Sequence, residues 1–147
     1  MRSARPCAVS AVFVALFLVA AANVSNANAQ NESTPATPDW SHAQTVQVVM
    51  TNYAFTPNAL QFRLNTPYHL RLINNSGHDH SFDAPDFFAA VDTAPEDRVK
   101  VVAGEVEVEG GQAVDVKIVP AKPGTYDFHC SHFLHSTFGM TGEALIQ

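Results

Sequence analysis

Near the end of the chain a thiol, an imidazole and a thioether fall at equal intervals, Cys130, His135 and Met140, in the pattern Cys-x4-His-x4-Met. A thiolate, an imidazole and a weak axial thioether are three of the four ligands of a trigonal copper site; the fourth is a second imidazole. Thiolate and thioether suit copper(I), and imidazole accepts either oxidation state. A weak axial Met also separates this set from a structural zinc site. Such a set constrains the fold, because a rigid frame must hold the loop and bring one more histidine from elsewhere.

The rest of the sequence supplies a β-type frame. Thr45 to Met50 is rich in β-branched residues and reads as a strand. Leu60, Phe62 and Leu64 alternate with Gln61 and Arg63, and Tyr68, Leu70 and Leu72 alternate with His69, Arg71 and Ile73. Asn74-Asn75-Ser76-Gly77 is turn chemistry. Phe87 to Asp97 lacks alternation and reads as a short helix or an irregular excursion. Val99 to Val102 and Val106 to Val108 are further strand candidates. Gly110-Gly111 is a turn, Val114, Val116 and Ile118 alternate, Thr125 to Phe128 leads into Cys130, and Gly142 to Ile146 forms a last strand. About seven or eight short strands with turns between them, and no long amphipathic helix, predict an antiparallel β-sandwich or Greek-key barrel. Met50 is expected in its core.

The N-terminal part reads differently. Arg2 and Arg5 precede an apolar run from Ala8 to Ala22, and Ala27-Asn28-Ala29 fits a small-x-small cleavage pattern. This is the layout of a signal peptide over residues 1–29, removed on export to the periplasm. Residues 30–44 are polar, contain Pro35 and Pro38, and read as a flexible lead-in, with Trp40 packing at the domain edge and His42 on the surface. The folded domain is expected over residues 45–147. Cleavage removes Cys7, so Cys130 becomes the lone thiol, without a disulfide partner in an oxidising compartment. Ligation of a metal would protect it; burial as a small apolar side chain is the alternative. Loss of Arg2 and Arg5 lowers Lys+Arg from 8 to 6 against 14 Asp+Glu, taking the net charge from -6 to -8. A chain this acidic is not suited to nucleic acid or anionic lipid; a basic face on a partner protein complements it.

The second imidazole is expected from His80, which follows a strand and a turn and re-enters β-type sequence at Ser81-Phe82. With Asn-x-Gly-x-x-His-x-Phe at Asn75 to Phe82, and Tyr-x-Phe-x-Cys-x4-His followed by Gly-Met at Tyr126 to Met140, the chain resembles a small periplasmic cupredoxin of the plastocyanin and azurin kind. The resemblance covers Val46 to Gln147. It implies an all-β, cupredoxin-like Greek-key β-sandwich and one mononuclear type 1 copper site with ligands His80, Cys130, His135 and Met140. It also implies a monomeric, non-enzymatic carrier of single electrons, blue or green. The Cys-to-His gap is longer than in plastocyanin-like proteins. In the family the residue after the first histidine is often an Asn that braces the cysteine loop; here it is Ser81. In multicopper oxidases, histidines beside the cysteine bridge to further copper. His129 matches one such position, but Ser131 occupies the other and the remaining histidine pairs are missing, so that reading is rejected.

The other histidines have weaker claims. His132 competes with His135, but the equal gaps and the Gly-Met spacing favour His135. His78 is either a second metal contact or, as expected, a loop residue in water. His129 turns to the opposite face from Cys130 by strand alternation, and His69 faces solvent. The carbonyl of Asp79 is a candidate for an axial approach, as in azurin-like sites. By the resemblance His135 is the exit for the electron, within an apolar patch of Phe133, Leu134 and Phe138, with Pro85, Phe87 or Phe88 from another loop. Each of these aromatics is as well accounted for by the core. Redox partners would dock there weakly and transiently. A periplasmic copper-binding protein for tolerance or delivery is the alternative, given the cluster of His78, His80, His129 and His132. A zinc or structural role fits the Met poorly.

Overall fold

The structure is a computed structural model and describes residues 37–147. The expected signal peptide and the start of the lead-in lie outside the described residues. A single 3-10 turn at Trp40–His42, capped by the Asp39 side chain, precedes the first strand. Ten strands follow: β1 Gln44–Thr51, β2 Ala54–Thr56, β3 Ala59–Phe62, β4 Tyr68–Asn74, β5 His80–Asp83, β6 Val91–Thr93, β7 Glu105–Val108, β8 Ala113–Pro120, β9 Gly124–His129 and β10 Thr141–Ile146. A one-turn helix, α1 at Pro85–Phe88, lies between β5 and β6. Among the described residues no helix is long and apolar enough to cross a membrane.

The strands form two five-stranded sheets, ordered β2-β1-β4-β8-β6 and β3-β10-β9-β5-β7. The sandwich agrees with the sequence reading, and three details differ. There are ten strands, because the short β2 and β6 are paired segments of three residues each. The sheets are mixed: β1 runs parallel to β4, and β3 parallel to β10. Side-chain alternation is the same in parallel and antiparallel pairs, so periodicity carries no sign of direction. Finally, Val99 to Val102 is not a strand. Pro95–Lys100 is a 3-10 helix, and Val102 makes one isolated bridge to Glu105. Val99 and Val102 are 81% and 70% exposed, so their β-branched character finds no ladder to join.

The core follows from the alternation. Val48 and Met50, Leu70 and Leu72, Val116 and Ile118, and Ala144 and Ile146 point between the sheets and are buried. Phenylalanines fill the centre. Phe82 stacks on Phe128 with centroids 4.6 Å apart and meets Phe55 and Phe87 edge-on at 6.0 and 6.3 Å. Phe87 is fully buried and Phe88 packs against the core, so neither joins a surface patch, as an alternative reading of the sequence had it. The apolar face of α1 thereby closes one side of the sandwich. Gly142 marks a close approach: a Cβ there would lie 2.3 Å from the Phe128 ring and 2.4 Å from the Asn58 carbonyl. The 3-10 helix is tied to β8 by Asp97, 5% exposed, which accepts from the Lys117 N–H at 2.9 Å and from Lys100 Nζ at 2.6 Å.

Replacing Phe82 with Ala removes a ring held by four other aromatics, and should destabilise the fold by about 3–5 kcal/mol. Chemical denaturation read by far-UV circular dichroism measures this; a loss below about 1 kcal/mol would show that the ring is not at the centre of the core.

Candidate metal centre

The site is assembled by hydrogen bonds around two turns. The first delivers His80. Asn74, buried at the end of β4, donates from Nδ2 to the carbonyls of His78 and Val108, both at 2.8 Å. Its Oδ1 accepts the Ser76 N–H at 2.9 Å and the Ser76 hydroxyl at 2.8 Å. Asp79 Oδ1 accepts the Gly110 N–H at 3.0 Å. With every polar atom of Asn74 engaged, the turn enters β5 in one conformation, and its first residue, His80, is buried.

The second turn carries the C-terminal pattern. Cys130 follows β9, and its N–H donates to the Met140 carbonyl at 3.1 Å. The Met140 N–H donates to the His135 carbonyl, also at 3.1 Å. These two bonds draw the equally spaced Cys130, His135 and Met140 together. Gly139, at φ +96, makes the reversal before β10 in a region that side chains avoid. Cys130 and Met140 are fully buried, and His135 is half-buried.

Three donor atoms converge. His80 Nδ1 lies 3.2 Å from His135 Nδ1, and Cys130 Sγ lies 3.7 and 3.3 Å from the two nitrogens. Among the described residues these three form the one group of His, Cys or carboxylate side chains so placed. The circle through the three atoms has a radius of about 2 Å, the length of a metal–imidazole bond. With the thioether of Met140 on the same loop, the donor set fits copper.

The protonation of the ring nitrogens fits as well. His80 Nε2 lies 2.9 Å from Asn52 Oδ1, an acceptor. The proton of the neutral ring therefore sits on Nε2, and Nδ1 presents its lone pair to the site. Burial, then the nearby charge of His135, holds His80 below the usual histidine range. Burial, then the charges of His132 and His78, does the same for His135. Both rings are thus kept neutral, the form that binds metal.

Ser81 keeps the brace that an Asn is expected to make. Its hydroxyl accepts the Ser131 N–H at 2.9 Å and lies 3.0 Å from Ser131 Oγ. Its own N–H points to Cys130 Sγ at 3.5 Å. Ser131 Oγ in turn donates to Glu105 Oε1.

The remaining histidines fall outside the triangle. His132 stacks on His135 with centroids 5.5 Å apart, and its Nε2 pairs with Glu107 Oε1 at 2.8 Å. His78 is exposed. His129 pairs with Asp83 at 3.3 Å, His69 meets the Trp40 ring edge-on at 6.3 Å, and His42 bonds to Asp39 at the surface. Phe133, Leu134 and Phe138 are exposed at 87%, 43% and 61%. The partner from another loop is Tyr53, whose ring lies 4.7 Å from His135 and 5.3 Å from Phe138.

Comparison with known proteins agrees with this geometry. The family model of the cupredoxin-like domain matches residues 9–143. The chain belongs to the cupredoxin-like family. Solved structures with a similar fold include auracyanin B, at 21% identity and a TM-score of 0.53, over 76% of this chain and 91% of that one. Another is the dithionite-reduced auracyanin of the photosynthetic bacterium Roseiflexus castenholzii, at 16% identity and a TM-score of 0.54, over 71% and 98%. A multicopper oxidase of Campylobacter jejuni, a metallo-oxidase, matches at 12% identity and a TM-score of 0.56, over 75% of this chain. This cupredoxin-like chain covers 30% of that oxidase. At these identities the likeness is one of fold. No curated protein sequence matches.

Asn52 and Tyr53 were not legible as site residues. They lie in the turn between β1 and β2 without a motif around them. Replacing Asn52 with Ala frees the His80 ring to rotate and change tautomer. Copper affinity should fall roughly 10- to 100-fold, read by competition with a chelator; unchanged affinity would leave Asn52 without an orienting role. Because both imidazoles titrate below 6.5, the unfolded chain takes up protons first as pH falls through that value. The metal-free protein should therefore lose stability on acidification below 6.5, in denaturation midpoints taken either side of it. A midpoint that rises across that window contradicts the neutral pair.

Proposed function

We propose that the protein is a type 1 copper protein that carries single electrons between redox partners, with copper held by His80, Cys130, His135 and Met140. The observation that carries this reading is the triangle of two Nδ1 atoms and one thiol sulfur, 3.2–3.7 Å on a side, bonded through backbone to a buried Met140.

Bound copper supplies a one-electron couple whose two states prefer different geometries. The protein's part is to resist the difference. Asn52 fixes the His80 ring, and the turn around Asn74 fixes its backbone. Cys130 is anchored by its own N–H to Met140 and receives the Ser81 N–H at its sulfur. His135 is held between the rings of Tyr53 and His132. With these side chains fixed, little has to move when the electron arrives or leaves.

His135 is the donor nearest the surface, and the exposed Phe133, Leu134, Phe138 and Tyr53 surround it with apolar area. That surface suits brief docking of a partner with a basic rim, given a net charge of -8 once residues 1–29 are removed. The reading includes export to the periplasm with cleavage of residues 1–29, a monomer, and no enzymatic activity. His132 and His129 are engaged by Glu107 and Asp83, which supports a single copper site over storage of several ions.

The test is the visible spectrum of the protein loaded with copper(II). An intense thiolate-to-copper band that Cys130→Ala abolishes and His132→Ala leaves is the expected result. A colourless protein, or one that takes up several coppers without that band, overturns electron transfer in favour of copper handling. Loss of the band in His132→Ala but not in His135→Ala overturns the ligand assignment.

A further inference from the structure

A chain of side chains leads from Cys130 to the surface: Ser81, Ser131 and Glu105, the first residue of the edge strand β7. Each serine hydroxyl has one proton to give. Ser131 Oγ gives its proton to the Glu105 carboxylate. Ser131 Oγ is then left as an acceptor, and the Ser81 hydroxyl, 3.0 Å away, gives its proton to it. Cys130 Sγ lies 3.9 Å from that same hydroxyl and would take its one proton only if Ser131 Oγ, the nearer acceptor, gave it up. Ser81 is fully buried, so no water competes for its proton.

We propose that Glu105 is a positioning residue for Cys130, setting the direction of the Ser131–Ser81 hydroxyl chain so that the sulfur receives the Ser81 backbone N–H and no hydroxyl proton. The inference rests on the copper reading above. Without Glu105, Ser131 turns its proton to Ser81 Oγ, and Ser81 turns its own to the sulfur. A hydrogen bond gained by the thiolate weakens its donation to copper and stabilises the reduced state, and loss of a nearby negative charge acts in the same sense.

The experiment compares the copper-loaded wild type with Glu105→Ala, Glu105→Gln and Glu109→Ala by visible absorption and redox titration. Glu105→Ala should raise the reduction potential and move the thiolate-to-copper band to higher energy. Glu105→Gln keeps a carbonyl acceptor for Ser131, so its band should stay at the wild-type position while the potential rises less. Adding Ser81→Ala to Glu105→Ala should cancel the band shift. The inference is overturned if Glu105→Ala leaves band and potential unchanged, or if Glu109→Ala, which removes the same charge four residues on, just past the end of β7, shifts both equally. A wild type that binds copper without the band overturns the copper reading and the inference with it; a wild type with the band and an inert Glu105→Ala overturns the inference alone.

Discussion

Three electron-rich atoms, two imidazole nitrogens and a sulfur, stand 3.2–3.7 Å apart and all point inward. Left to themselves such lone pairs repel, and a shared proton or a bound metal ion between them offsets that repulsion. The rest of the molecule can be understood as what keeps them there. His80 and Cys130 stand at strand ends of one sheet, on β5 and after β9. Asn52, which orients His80, lies between β1 and β2 of the other. The packed phenylalanines between the sheets fix the distance between these ends. Core packing and site geometry are therefore one constraint, and slack in the first would loosen the second.

Within one sheet, the edge strand does more than end the ladder. β7 places Val106 and Val108 in the core, so alternation turns Glu105 and Glu107 outward. Charges on an edge strand discourage pairing with other chains. Here the same two carboxylates hold the loop after Cys130, Glu105 through Ser131 and Glu107 through His132. Spacing favours His135 over His132, and Glu107 acts in the same sense. It draws the His132 Nε2 away, and His135 is the ring whose Nδ1 joins the other donors.

Much of this was legible in the sequence, for a physical reason. Cys130, His135 and Met140 are donors of unusual chemistry in one short loop, and His80 sits where turn chemistry meets β-type sequence. The sandwich was legible because alternation records burial on one face. What stayed hidden has its reason too. Strand direction leaves no trace in alternation, so the parallel β1–β4 and β3–β10 pairs were missed. Val99 and Val102 looked like a strand by composition, yet a strand needs a neighbour, and Pro95 opens a 3-10 helix instead. Asn52, Tyr53 and Glu105 act through contacts across the fold, and such contacts have no spacing to read.

The serine after His80 shows what a small change in side chain does to a braced thiol. A carboxamide offers fixed donors and a fixed acceptor, so it braces the loop in one way whatever surrounds it. A hydroxyl offers one proton that rotates. Ser81 accepts the Ser131 N–H and so keeps the mechanical brace, but where its own proton points depends on what Ser131 can accept. Ser131 is exposed and reaches Glu105 at the edge of the sheet. The exchange of amide for hydroxyl thus preserves the loop's shape while linking the buried sulfur to a charge at the surface. That link makes the electronic character of Cys130 depend on residues well outside the donor set.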